Sequence, residues 1–161
     1  MSATLILGIG NTLLSDEGTG VHVVHYLQQH YPNLPEVTYL DGGTLSFTLA
    51  GPIADADNLI VIDAAHLEAE PGAMQIFVNA DMDRFLGTAK LSVHEVGLAD
   101  LIDIARLTDT LPARRVLVGI QPFQFGWGDQ PSPAVAATIP KAASKIMTMI
   151  QKWQGVGLPC C

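Results

Sequence analysis

The sequence is short of cysteine, of charge and above all of positive charge. Only two cysteines occur, Cys160 and Cys161, side by side at the C-terminal end of the chain. They cannot staple the body of a fold, which is the usage expected in a reducing compartment. Charged residues make up 15% of the chain, and 8 Lys and Arg stand against 16 Asp and Glu, a net charge of −8. Such a field repels a polyanion. The single adjacent basic pair, Arg114-Arg115, extends into no stripe, so nucleic acid is not expected as a partner. No apolar run approaches the ~18 residues that span a bilayer. The N-terminal apolar stretch is broken by glycines and Asn11 and has no basic region before it. Neither membrane insertion nor a signal peptide is expected, and the location is read as cytoplasmic. An H-E-x-x-H zinc-protease motif is absent, and no Ser–His or Cys–His arrangement suggests a covalent intermediate.

What is present is a chain of 161 residues that is 48% hydrophobic, enough for one substantial core. We expect a single domain over residues 1–154, a tail over 155–161, and a monomer as the simplest state at this size. Strands are expected at residues 4–9, 37–40, 58–62, 73–78 and 115–120, the fourth of them suited to a sheet edge. Helices are expected at 19–30, with Val21, Val24 and Leu27 inward, and at 45–50, stopped by Gly51-Pro52. A further helix at 94–107 would bury Val96, Leu98, Leu101, Ile102 and Ala105. The last runs from Ser132-Pro133, an N-cap followed by proline at the first helical position, to about Gln154, irregular at Pro140. Apolar strands alternating with helices imply an α/β fold with a mostly parallel sheet covered on both faces, a three-layer domain.

In such sheets ligands collect beyond the carboxyl ends of the strands. The stretch "LILGIGNTLLSDEG" (5–18) begins there like a dinucleotide-binding turn, but G-x-G-x-x-G would need glycine where Leu13 stands. Asp16 and Glu17 would also crowd a pyrophosphate with negative charge. A carboxylate at a helix start is suited instead to receive a cation, with simple helix capping as the alternative, better satisfied by Asp16 than by Glu17. Asp63 follows the apolar run "LIVI" at the same edge, where a turn or cap is the alternative. His94, in "LSVHEVGL", stands at an expected helix start, where the imidazole stays neutral and able to coordinate. His22, His25, His30 and His66 are weaker candidates. Two carboxylates and one imidazole would leave open positions on a divalent ion such as Ni²⁺ or Zn²⁺.

At these residues the sequence resembles the hydrogenase maturation proteases, endopeptidases that process the large subunit of [NiFe] hydrogenases. The resemblance rests on "GIGNTLLSDEGTGV" (8–21), "LDGGT" (40–44), "LIVIDA" (59–64), "SVHEVGL" (92–98), "VGIQP" (118–122) and "SPAV" (132–135) in that order. It implies a twisted five-stranded sheet flanked by helices, with Glu17, Asp63 and His94 as metal ligands. It also links Asp41 of the "DGG" motif, with Gly42 and Gly43, to substrate binding or cleavage, Asp41 as base or orienting group. The metal implied is nickel supplied by the client, a hydrogenase large-subunit precursor, other divalent ions substituting in the isolated protein. The loop "FQFGWGDQP" (123–131) and the Cys160-Cys161 pair carry no motif of that family. Two rival readings are a non-catalytic nickel chaperone and a peptidyl-tRNA-hydrolase-like α/β hydrolase, the second disfavoured by the net acidity.

Overall fold

A strand without charge, apolar on both of its faces, belongs in the middle of a covered sheet. In the computed structural model, which describes residues 2–43, 46–88, 97–123 and 126–155, β1 (Thr4–Ile9) is buried at every position. The chain continues through a 3-10 turn (Ser15–Gly18) into α1 (Thr19–His30), then β2 (Val37–Gly43), α2 (Ala50–Ala54) and β3 (Asn58–Ala64). It proceeds through β4 (Met74–Val78), α3 (Ala80–Thr88), α4 (Leu98–Leu107), β5 (Arg114–Ile120) and α5 (Pro133–Gln154). The sheet has five strands in the order β2-β1-β3-β5-β4; all neighbours are parallel except β4, an antiparallel edge on β5.

Alternation along the strands divides the interior into two cores. Ile6, Ile60, Ile62, Val116 and Val118 face Val23, Val24 and Leu27 of α1 and Val135, Ala142 and Ile146 of α5. Leu5, Leu7, Leu59, Val61 and Leu117 face the other way, against Ile53, Met82, Leu101 and Ile102. Fully burying one such aliphatic side chain is worth ~1.5–3 kcal/mol, so both layers contribute heavily to holding the sheet. Among the described residues no helix is long and apolar enough to cross a membrane.

Several boundaries differ from the sequence expectation, each for a local reason. The short helix does not stop at Gly51-Pro52 but runs through them as α2. Pro52 falls in its first turn, where a missing N–H removes no internal bond. α5 is continuous through Pro140. Pro140 and Ala136, whose carbonyl loses its donor, both lie on the exposed side of the helix. α3 has no counterpart in the sequence expectation: its nine residues include Gly87 and two aspartates, and Met82 is its one fully buried apolar side chain. β2 extends past Leu40 through Gly43, with a register shift opposite Gly8 and Ile9. The helix expected at 94–107 is described from Leu98, with Leu98, Leu101, Ile102 and Ala105 buried; His94 and Val96 lie outside the described residues.

Ion pairs orient the two helices of this layer. Asp83, near the start of α3, accepts both Nε and Nη2 of Arg115 at 3.0 and 2.6 Å, and Arg106, near the end of α4, approaches it at 3.2 Å. The end of α4 therefore meets the start of α3, and α4 runs opposite to β5. Its start at Gly97 lies toward the carboxyl end of the sheet. On the far side Gln121, just after β5, donates its N–H to Ala73 at 2.8 Å and accepts that of Gly72 at 2.8 Å. Its side-chain oxygen accepts the N–H of Leu67 at 2.6 Å.

α1 lies so close to the sheet that a side chain cannot come between. A Cβ on Gly20 would fall 2.0 Å from the carbonyl oxygen of Ile62, and one on Gly8 would fall 2.4 Å from that of Gly20. Gly20→Ala is expected to lower stability by at least ~1–3 kcal/mol, as overpacking does. The exposed helical control Gly51→Ala, where a Cβ meets nothing within 4 Å, should be neutral or stabilising by up to ~1 kcal/mol. Urea unfolding of the two variants checks the contrast.

Candidate active site

The glycines that imitate a dinucleotide motif have another task here. Gly10 has φ +139°, and a Cβ on it would stand 1.8 Å from the carbonyl oxygen of Glu17. Only glycine can adopt that backbone and let the chain fold back so tightly. The turn that packs so closely against Gly10 carries Asp16 and Glu17. Ser15, a non-glycine residue at φ 49°, sits in the same bend. Its strain is held by two hydrogen bonds, from its N–H to the carbonyl of Gly128 at 2.8 Å and from its hydroxyl to that of Gly126 at 2.6 Å.

Asp16 does not cap its own helix. Neither the 3-10 turn nor α1 has a side-chain cap, and the Asp16 carboxylate is completely buried. It accepts the backbone N–H of Ser132 at 2.6 Å, the Ser132 hydroxyl at 2.8 Å and the N–H of Phe123 at 2.8 Å. Ser132 does occupy the N-cap position of α5, but its hydroxyl serves Asp16 rather than the helix. The acidic turn after β1, the loop after β5 and the start of α5 are thus joined through one side chain. Nothing in the sequence pairs residues 116 positions apart; only a polar residue in an otherwise apolar setting hints at such a role.

Glu17 and Asp63 are brought together. The 3-10 turn packs against β3, and Asp63, near the end of β3, stands opposite Gly119 of β5. The Asp63 pKa is pushed up to about 8, first by burial, which a hydrogen bond from the Ala64 backbone opposes, and further by the negative charge of Glu17. Asp63 retains a little solvent-exposed surface, but its carboxyl lies deep enough for desolvation to dominate. Two carboxylates that repel one another in a confined place are a site that a cation would stabilise. His94 lies outside the described residues, and among the described residues no three His, Cys, Asp or Glu side chains form a metal-binding group. Within those residues the donors on hand are the two carboxylates of Glu17 and Asp63.

Asp41, Gly42 and Gly43 lie at the end of β2 beside a pocket of about 300 Å³. Gly10, Asn11, Thr12, Val21, Asp41 and Gly43 line it, so one wall is the segment that leads to Glu17. One Asp41 oxygen accepts the N–H of Gly43 at 2.9 Å, and the Gly43 carbonyl accepts the N–H of Gly10 at 2.8 Å. The other Asp41 oxygen lies 3.6 Å from Nε2 of His25. His25 is a weak candidate from sequence alone, where nothing places the second turn of α1 beside the end of β2. On the same helix, His22 has its pKa lowered by burial and by His25, against the raising influence of Asp129. The loop after β5 therefore passes close to α1 as well.

Two expectations test this arrangement. Asp16→Asn should lower stability by ~1.5–3 kcal/mol, the scale of hydrogen bonds to a charged group, with amide exchange accelerated at Ser132 and Phe123. For Asp63 the folded pKa lies above its ordinary 3.8, so the folded state keeps a proton that the unfolded chain releases. The contribution of Asp63 to stability is therefore greatest below about pH 4 and falls as pH rises through about 8, by on the order of a few kcal/mol. Asp63→Asn should flatten that fall; urea unfolding with a chelator present, from about pH 5 to about pH 9, measures it.

Comparison with known proteins gives one consistent answer. The family profile HycI, hydrogenase maturation protease, matches residues 21–149. The hydrogenase 2 maturation protease of Escherichia coli K12 is 36% identical over 149 residues, 92% of this chain and 90% of that protein. The hydrogenase expression/formation protein HoxM of Cupriavidus necator is 33% identical over 154 residues, 95% of this chain and 76% of that protein. Among solved structures, the hydrogenase maturating endopeptidase HybD of E. coli superposes with a TM-score of 0.87 at 35% identity, covering 93% of each chain. The [NiFe] hydrogenase maturation protease HycI of Thermococcus kodakarensis superposes at 0.76 with 28% identity, again over 93% of each chain. Sequence and fold agree across nearly the whole length, and the chain belongs to the hydrogenase maturation protease family.

Proposed function

We propose that this protein is an endopeptidase that removes the C-terminal extension of a nickel-loaded [NiFe]-hydrogenase large-subunit precursor, recognising the nickel through Glu17, Asp63 and His94. The observation that carries the reading is the Glu17–Asp63 pair, in which burial and a like charge hold a proton on Asp63. A divalent ion arriving with the client displaces that proton and relieves the repulsion, so occupancy depends on the client being loaded. The start of α4 toward the carboxyl end of the sheet, four residues on from His94, supports an imidazole as the third donor.

The client's extended C-terminal segment then lies along the pocket beside Asp41, Gly42 and Gly43. Asp41 orients that segment or takes a proton from the attacking water, with His25 beside its second oxygen. The nickel, as part of the substrate, supplies Lewis acidity toward the scissile carbonyl or the water. The protein acts in the cytoplasm as a monomer, holding no metal tightly between clients.

Incubation with nickel-loaded and nickel-free precursor, followed by mass spectrometry, tests the reading. The loaded precursor should lose mass and the nickel-free one should not. Complex formation without mass loss would make the protein a nickel-dependent chaperone instead. Glu17→Gln and His94→Ala should each abolish processing while leaving circular dichroism and the urea midpoint near those of the wild type. Normal cleavage by either variant would remove that residue from the site.

A further inference from the structure

Large apolar side chains are exposed beside the acidic turn. Leu13 is 57% exposed, Phe123 67% and Trp127 85%. They do not sit on loose chain. Leu14 and Gly128 form a parallel bridge, and the N–H of Gly128 donates to the carbonyl of Leu13 at 2.9 Å. Leu13 and Trp127 thus occupy matching positions one residue before the bridged pair, and matching positions in parallel pairing share a face. The backbone of Phe123 is anchored separately, its N–H bonded to buried Asp16. A Trp, a Phe and a Leu held in place by backbone hydrogen bonds yet left in water mark an interaction surface rather than scattered exposure.

We propose that Leu13, Phe123 and Trp127 form a preorganised docking surface for the body of the client, next to the segment that is cut. The proposal rests on the protease reading and identifies where the rest of the client is held. Continuity with the site requires that partner: Leu13 to Asp16 are the residues immediately before Glu17, so a protein whose metal meets Glu17 must lie over them. Charge selects its chemistry. Neither residues 10–18 nor residues 121–131 contain Lys or Arg, whereas Glu17 and Asp129, neither of them fully buried, lie among them. An anionic membrane or nucleic acid finds no cation here, and the complementary surface is an apolar protein segment flanked by basic residues.

Trp127→Ala, and Leu13→Lys as an independent second variant, are assayed on whole loaded precursor for kcat and KM, with affinity measured by interferometry. Each should raise KM and Kd about tenfold or more, the loss falling on KM rather than kcat. Trp127→Ala alters no hydrogen-bonded group, and an unchanged urea midpoint shows that the fold is intact. If the wild type cuts the precursor and both variants keep KM and Kd within about twofold, the docking proposal is overturned and the protease reading stands. If the wild type binds the precursor without shortening it, the protease reading fails, and weakened affinity in the variants still supports the surface. A wild-type dimer that Trp127→Ala converts to monomer in sedimentation, with client affinity unchanged, would assign the surface to a second copy and overturn the proposal.

Discussion

Asp16 keeps a carboxylate out of water, and it does so because donors from distant parts of the chain, three of them among the described residues, converge on it. Those donors, the N–H and hydroxyl of Ser132 and the N–H of Phe123, belong to the loop after β5 and the start of α5. An ionised group removed from solvent without such partners carries a penalty of several kcal/mol. The partners therefore have no freedom to leave, and neither does the turn between β1 and α1. Glu17 follows Asp16 directly, so the placement of this half-buried acid is inherited from the buried hydrogen bonds beside it. The close approach of Gly8 to Gly20 and of Gly10 to Glu17 serves the same end from the side of the sheet.

Neighbouring acids thus have opposite electrostatic circumstances. Asp16 is satisfied by its donors and is part of the scaffold. Asp63 has burial and a like charge against it, which push its pKa up to about 8. Stability sacrificed at such a place is a common accompaniment of function. The cost is tolerable because the hydrophobic layers on both faces of the sheet are extensive and contain few polar groups.

Much of this is legible in the sequence, for physical reasons that can be named. The buried stretches of β1, β3 and β5 are apolar and rich in β-branched residues, and α1 and α5 are long, with apolar residues recurring at helical spacing, so their positions can be read closely. α3 escapes a sequence reading because it is only nine residues long, includes two acids and a glycine, and buries a single apolar side chain fully. A stop at Gly51-Pro52 treats proline as a breaker, whereas it falls in a first turn. Glu17 and Asp63 stand out as candidates in the sequence because each comes at or beyond the carboxyl end of an apolar strand. Asp16 reads as a cap because a local rule explains an acid at a helix start, whereas its true partners lie more than a hundred residues away. His25 is undervalued for a related reason: the neighbour that matters to it, Asp41, is on a different element.

The reversed direction of β4 changes what gathers around the mouth of the site. A parallel strand sends one connection out from its carboxyl end and receives its incoming chain at the opposite pole. Since β4 starts where β3 and β5 finish, the link between β3 and β4 never travels to that far pole at all. It remains as a short collar, fastened to Gln121 through Leu67, Gly72 and Ala73. One inverted edge strand therefore keeps a whole connecting segment on the carboxyl side of the sheet without adding a crossover helix.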